Sequence, residues 1–443
     1  MNPSVSFYTL GCRLNQSETV ALMQSFKEEG WQIVDSSQPA DVAVINTCTV
    51  TENGDADTRK LVHRILRMNP SSRIALIGCQ AQVQKERLAG LPNVHWIVGN
   101  ARKMDLALIL KESPSAEISQ GPRVVTPAIP HESFTVSHPA IDPHHTRANL
   151  KIQDGCDFFC SFCEIPYARG RGRSREFADI LLEARSLVKA GYKEVILTGI
   201  NLGTYHHKSG AEDGNRVQEE KRFLDLLDAL ETIEGLMRIR ISSIEPTTVP
   251  RELFQRMAEG RKLCRYLHIP LQSGSDEILQ TMKRRYTAQE FRGFLERAHR
   301  SVPGICLGTD VIVGFPGETD THFQETCRIL RDMPLAYFHV FSYSERHFAK
   351  SRLVPNPVDL KTIRKRSQIL RDLSVRKRQL FLQGLLGTTQ KVLFEEREDC
   401  LWTGLTDNYV RVRVSFQEDL KNKIRKVRLN SLEGQALRGS LAS

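Results

Sequence analysis

Residues 149–175 read NLKIQDGCDFFCSFCEIPYARGRGRSR. Three thiols, Cys156, Cys160 and Cys163, fall within eight residues, and Arg169, Arg171, Arg173 and Arg175 follow directly. The opening NLKIQ reads as a strand, the first of six. EVILTG (194–199), RIRISS (238–243), LHIPLQ (267–272), LGTDVIVGF (307–315) and YFHVFSYS (337–344) continue the series, with helical stretches such as 179–190 and 319–332 between them. This alternation predicts an open, partial version of the eight-stranded parallel barrel. A flat doubly wound sheet shares the periodicity and stays open as the alternative.

The flanks differ. Residues 1–111 also alternate, with VSFYTL (5–10), DVAVIN (41–46) and RIALIG (73–78) as short apolar runs and SETVALMQSFKEEG, from Ser17, as a helix. That pattern predicts a parallel sheet covered on both faces. Residues 112–147 are rich in Pro and Ser, have weak periodicity and read as a linker. Residues 361–378 form a basic helix with eight Lys or Arg against one acid, Asp372. After Gly384 short strands predict a β-barrel of about 60 residues.

The chain has 443 residues, 40% hydrophobic and 26% charged, as a soluble globular protein of about three domains would. No run of about 18 apolar residues predicts a membrane span. The start, MNPSVSFYTLGC, lacks the features of a secretory signal, so the expected location is the cytoplasm. A net charge of +10 favours a polyanionic partner, nucleic acid first. Structural disulfides among the ten cysteines are not expected in a reducing compartment. Cys264, Cys306, Cys327 and Cys400 lack ligand spacing and are expected as small buried hydrophobes.

Three thiolates at the spacing C-x3-C-x2-C could hold zinc, but structural zinc takes four ligands and no histidine stands at finger spacing. An iron–sulfur cube fits better, because thiolates ligate its irons one each and three leave one iron open. An open iron can chelate S-adenosylmethionine (SAM), and a reduced cube can then release a carbon radical from it. Cys156 follows the first barrel strand, at the carboxyl end where such folds collect chemistry. Cys12, Cys48 and Cys79 each lie one or two residues beyond a predicted strand of the N-terminal sheet. Carboxyl ends of parallel strands share one edge, so three distant cysteines can converge there.

The close triplet resembles that of the radical SAM enzymes, and GCDFFCSFCEIPYARGRGRSR resembles the methylthiotransferase branch of that family. RISSIEP and LTGINLGTY are most similar to the type (MtaB type) that acts on N6-threonylcarbamoyladenosine beside the tRNA anticodon. The resemblance implies an α/β chain: a flavodoxin-like methylthiotransferase domain at 1–111, a linker at 112–147, a partial (βα)6 radical SAM barrel at 148–378 and a TRAM-like RNA-binding β-barrel at 379–443. It implies two [4Fe–4S] clusters, one on Cys156, Cys160 and Cys163 and one on Cys12, Cys48 and Cys79. It also implies SAM, a tRNA anticodon stem-loop as partner and a reducing donor such as flavodoxin or ferredoxin. The 5′-deoxyadenosyl radical would remove the hydrogen at C2 of adenine, a sulfur species at the second cluster would attack that carbon, and a second SAM would supply the methyl group. Such a C–H bond is beyond any side-chain base at neutral pH.

By their positions, Thr198, Gly199, Asn201, Ser243, Glu245, Gln272 and Ser273 at or beyond strand ends, and Asp310 on the fifth strand, are the candidates for holding SAM. The four arginines are candidates for its carboxylate or for tRNA phosphate. Lys421, Lys423 and Arg425 are expected on one face of a barrel strand as phosphate contacts. Tyr409 is a base-stacking or a core residue. Two departures from the family pattern concern Gly172, usually acidic, and His347, Phe348 and Ala349, where Gly-Thr is usual. Alternative readings are a methylthiotransferase for isopentenyladenosine tRNA or for a ribosomal-protein aspartate, and an iron–sulfur RNA-binding regulator without turnover.

Overall fold

A computed structural model describes residues 2–49, 52–112, 121–142, 145–209 and 219–442. The chain forms two compact units. The first comprises Met1–Asp142, Asn149–Glu183 and Ser344–Ala349; the second comprises Pro143–Ala148, Ala184–Tyr343 and Lys350–Ser443.

The first unit is built on six parallel strands. Their order is Gln32–Ile33, Ser4–Thr9, Val42–Thr47, Arg73–Gly78, Val94–Val98 and Arg123–Val125. The chain runs outward from the first strand, then crosses back to its other side. That order is the flavodoxin-like one, with its crevice at the carboxyl ends where the direction reverses. Every residue of Val42–Thr47 is buried. Val42 and Val44 pack into one apolar cluster, Ala43 and Ile45 into the other, so the strand's alternation serves both faces of the sheet. The helix expected from Ser17 begins earlier, at Arg13–Glu28. Its first turn has Leu14 as its one apolar residue, yet the polar Asn15, Ser17 and Glu18 are buried too. The sixth strand, Arg123–Val125, falls within the linker-like stretch and is too short to show a period.

In the second unit the strands keep sequence order. Glu194–Thr198 pairs in parallel with Arg238–Ile241. Tyr266–His268, Cys306–Val313 and Tyr337–Ser342 form a parallel sheet. Single parallel bridges, Ile239 to Leu263 and Ser243 to His268, join the two sets. A doubly wound sheet would reverse its order once; this series does not, and it is the arc of an open barrel. The first of the six expected strands, Arg147–Lys151, begins in this unit and ends in the other. The strand expected to reach Gln272 stops at His268, because Pro270 has no N–H for the ladder. Gln272 returns as one bridge to Val311, with a φ of 75°.

The basic helix is Leu360–Gln383, started by Asp359, whose carboxylate accepts the Thr362 N–H at 2.9 Å. Not all of its cations face solvent. Arg366 is buried against Glu318 and Asp320 at 2.5 and 2.7 Å, and Arg378 donates to the Tyr409 carbonyl at 3.0 Å. The C-terminal strands close a five-stranded barrel in the order Thr389–Glu398, Leu401–Thr406, Arg411–Ser415, Ala436–Leu441, Ile424–Glu433. Lys421 and Lys423 precede the last of these and only Arg425 lies on it, so the expected three-residue basic face does not form. Lys423 Nζ instead donates to the Asp419 carbonyl at 2.7 Å. Tyr409 packs on Tyr266 at 4.8 Å between ring centroids, with Arg240 over its face at 5.1 Å, which makes it a packing residue here.

Of the four cysteines without ligand spacing, Cys264 and Cys306 are buried as expected. Cys327 is half-buried and Cys400 is exposed, a correction. Cys400 and Asp399, with φ of 71° and 46°, make the two-residue turn between barrel strands. Burial pushes the Cys264 thiol up to about 12 and the Cys306 thiol up to about 11. A thiol alkylates as its thiolate. At pH 7.5 a maleimide should therefore label Cys400 and leave Cys264 and Cys306 untouched until the protein is unfolded. Peptide mass spectrometry reads this directly; early labelling of Cys264 or Cys306 would contradict the packing.

Candidate active site

The three scattered cysteines follow three adjacent strands of the first sheet. Cys48 and Cys79 come directly after Thr47 and Gly78, which face each other in register. Cys12 is three residues past Thr9, which is paired with Asn46. Gly11 (φ 92°) lies so close to Cys48 that a Cβ on it would be 2.7 Å from the sulfur. Gly78 (φ 94°) is pressed in the same way on the Asn46 side chain and the Thr47 backbone. Both positions need the left-handed conformation and the missing side chain. Asn100 points Nδ2 at the Cys79 sulfur at 3.5 Å and donates the same amide to the Ala168 carbonyl at 2.6 Å. Cys12 is exposed as a residue, yet the protein packed around its sulfur raises the thiol pKa against the pull of Arg169.

Cys156, Cys160 and Cys163 lie half-buried on one loop of the same unit. The Cys156 N–H bonds to the Gly170 carbonyl at 3.1 Å and the Cys163 N–H to the Cys160 carbonyl at 3.1 Å. The Ile165 N–H points at the Cys163 sulfur at 3.4 Å. A short helix, Ile165–Arg169, then leads from this loop to a buried ionic network.

Arg169 is the centre of that network and is fully buried. Its two terminal nitrogens donate to Glu18 at 3.1 and 3.0 Å, to Asp154 at 3.0 Å and to Asn15 Oδ1 at 2.6 Å. Lys103 adds 2.5 Å to Glu18 and 2.7 Å to Asn100, and Lys151 bridges Glu18 and Asp154 at 2.7 Å each. Burial alone would raise both carboxyls, but Arg169, Lys103 and Lys151 hold Glu18 well below the usual range; Lys151 and Arg169 hold Asp154 below it. Arg175 is buried too, on Asp179 at 2.6 Å and on Glu183. Arg173 faces Asp154 at 3.5 Å, and Arg171, paired with Asp157, is exposed. Of the four candidate arginines, Arg169 and Arg175 are thus internal ties.

A third buried arginine, Arg346, ties residues 344–349 into this unit. It reaches Asp55 at 2.7 Å, Glu164 at 3.4 Å and Thr49 at 3.3 Å. Glu164 also accepts from Thr49 Oγ1 at 2.8 Å and from the Phe348 N–H at 3.0 Å.

In the second unit, Thr198 ends its strand and Gly199, Asn201, Ser243 and Glu245 follow strand ends, whereas Asp310 lies within the strand Cys306–Val313. The Thr198 hydroxyl is buried with no hydrogen-bond partner among the described residues. Gly199 lies half-buried just beyond it. Asn201 Oδ1 accepts from the Glu245 N–H at 3.3 Å and from Thr248 at 2.8 Å, so that oxygen ties two loops together. Glu245 pairs with Arg284; burial raises its pKa against that pairing. Ser243 is half-buried beside the His268 strand, and the buried Ser273 hydroxyl accepts the Ser275 N–H at 3.2 Å. Asp310 meets His268 Nε2 at 2.9 Å, and the ligand atoms of His268, Asp310 and His339 lie within 4.8 Å of one another.

Comparison with known proteins agrees with this arrangement. The Radical SAM superfamily profile matches residues 150–330, and that of the uncharacterized protein family UPF0004 matches residues 4–99. The "Threonylcarbamoyladenosine tRNA methylthiotransferase MtaB" of Bacillus subtilis is 38% identical over 96% of this chain and 93% of its own length. The chain belongs to the radical SAM methylthiotransferase family. The Aquifex aeolicus protein of the same name is 35% identical over 95% and 99%. A "tRNA-2-methylthio-N(6)-dimethylallyladenosine synthase" of Dehalococcoides mccartyi is 32% identical over 91% and 90%. Among solved structures, the radical SAM methyltransferase TsrM from Kitasatospora setae shares the fold, with a TM-score of 0.54 at 16% identity over 77% of this chain and 75% of that one.

Methylthiotransferases of this family work with SAM and a [4Fe–4S] cluster. The donor sets fit such a group. Each cysteine triplet of this methylthiotransferase offers three free thiols, none of them in a disulfide, and a cube takes one thiolate per iron. Residues missed from the sequence are Glu18, Asp154, Lys103 and Asn100 around Cys79, Arg346 with Glu164, and His268 with His339. Only His268, at a strand end like the chosen candidates, carried a signal. Breaking a buried ion network by removing one partner costs about 3–5 kcal/mol. Arg169→Met should destabilise the full chain by that order in urea unfolding, and Arg169→Lys should restore part of it. Melting of the Met variant within about 1 kcal/mol of the parent would refute the network's role.

Proposed function

We propose that this chain methylthiolates tRNA, converting N6-threonylcarbamoyladenosine beside the anticodon to its 2-methylthio derivative. The observation that carries this reading is the near-full-length similarity to relatives so named. The relatives named for dimethylallyladenosine, at 30–32% identity, supply the second reading. No helix among the described residues is long and apolar enough to cross a membrane, and we place the reaction in the cytoplasm with flavodoxin or ferredoxin as electron donor. We further propose the domain division 1–111, 112–147, 148–378 and 379–443 for the methylthiotransferase, linker, radical SAM and TRAM-like parts.

Cys156, Cys160 and Cys163 hold the SAM-binding [4Fe–4S] cluster, and Cys12, Cys48 and Cys79 hold a second. When bound, the clusters and SAM supply the radical, the sulfur and the methyl group. The chain's residues position these groups. The Ile165 N–H donates towards the Cys163 sulfur, and Asn100 does so towards Cys79. Lys103 and Arg169 are cations that interact electrostatically with Cys79. Thr198 offers its unpartnered hydroxyl to SAM. Gly199, Asn201, Ser243, Glu245, Gln272, Ser273 and Asp310 complete that proposed pocket, Arg284 balancing the charge of Glu245.

Nucleoside mass spectrometry of tRNA from a deletion strain tests the substrate. Loss of 2-methylthio-threonylcarbamoyladenosine with the dimethylallyl derivative intact is expected; the opposite pattern selects the second reading. Two variants separate the clusters. Cys156→Ala should release no 5′-deoxyadenosine from SAM, whereas Cys79→Ala should still release it and yield no methylthiolated tRNA. Equal loss of 5′-deoxyadenosine in both would argue against separate roles.

A further inference from the structure

Next to the close cysteine triplet the first unit presents aromatic rings to solvent. Phe159, Tyr167 and Phe348 are 38%, 38% and 40% exposed. Tyr167 stacks on Phe348 with centroids 5.3 Å apart and planes 20° apart, and Phe159 meets Tyr167 edge-on at 6.1 Å. His347 meets Phe348 at 4.7 Å. The Arg171 guanidinium stands 5.5 Å from the Phe159 centroid.

The rings are held in place from beneath. Phe159 has a φ of 50°, a left-handed conformation that a bulky side chain rarely adopts. Phe348 is fixed through its backbone N–H by Glu164, which the buried Arg346 clamps. A contiguous exposed apolar patch marks an interaction surface. Phe159 adjoins Cys160 in sequence, and Tyr167 is on the helix that starts beyond Cys163.

We propose that Phe159, Tyr167 and Phe348 are a stacking platform for unpaired bases of the tRNA loop, with Arg171 on the adjoining phosphate. This rests on tRNA being the substrate. The occupant follows from the chemistry. Unstacked RNA bases are received on aromatic faces and guanidinium planes, and a chain of net charge +10 with an exposed arginine beside the rings suits a polyanion.

The test uses the full-length protein with both clusters and an anticodon stem-loop carrying 2-aminopurine next to the target adenosine. Phe348→Leu and Tyr167→Leu keep the apolar bulk and lose the ring; Phe348→Tyr keeps the ring. The Leu variants should weaken stem-loop binding roughly fivefold to a hundredfold and relieve quenching of the 2-aminopurine, with the salt dependence unchanged, while Phe348→Tyr should bind as the parent does. Arg171→Gln should lower the salt slope by about one. Leu variants that bind within twofold of the parent, with the probe still quenched, overturn the proposal. So does weakened SAM binding with unchanged RNA binding, which would assign the rings to SAM. If the parent itself fails to bind the stem-loop, the tRNA reading falls first and this one with it.

Discussion

The first unit depends on one buried arginine. Arg169 carries its charge out of contact with water, and in a low dielectric that is tolerable only with anions in close, well-oriented contact. Glu18 and Asp154 meet that condition, and they come from different parts of the fold: the first helix and the loop before Cys156. Satisfying one charge therefore docks the cysteine loop onto the start of the helix that follows Cys12. Lys103 and Asn100 extend the same network to the Cys79 sulfur. Two sets of thiols that are unrelated in sequence thus share one electrostatic support, and neither can shift alone without leaving a buried charge unpaired.

The fold was legible wherever burial leaves a period. Strands buried on both faces appear as continuous apolar runs, and all three N-terminal runs are strands to within one residue. The convergence of Cys12, Cys48 and Cys79 could be read because carboxyl ends of parallel strands necessarily share an edge. Strand order could not be read, since periodicity says nothing about neighbours. Neither could Arg123–Val125, whose three residues are below any period, nor the mostly polar first turn of Arg13–Glu28, which is buried for its hydrogen bonds.

The arginines show the other limit. A row of cations in the sequence looks like a ligand site, yet two of the four are structural: Glu18 is 151 residues from Arg169, beyond any local pattern, whereas Asp179 and Glu183 are only 4 and 8 from Arg175. The same holds for His339, which faces Asp310 across the register of two strands. Register is a property of pairing, and no single segment encodes it. Lys421 and Lys423 failed as strand residues because the bend at Asn422, with a φ of 58°, comes first.

Arg346 has a consequence for biosynthesis. Its partner Glu164 is 182 residues earlier, and both belong to the first unit. At about 5–20 residues per second a ribosome needs roughly 10–40 s to add that interval. Over that time the nascent N-terminal sheet and its thiols exist without their final clasp. The unit therefore closes late, after most of the chain has been translated, and Thr49 and Asp55, which the same arginine reaches, wait with Glu164 for it.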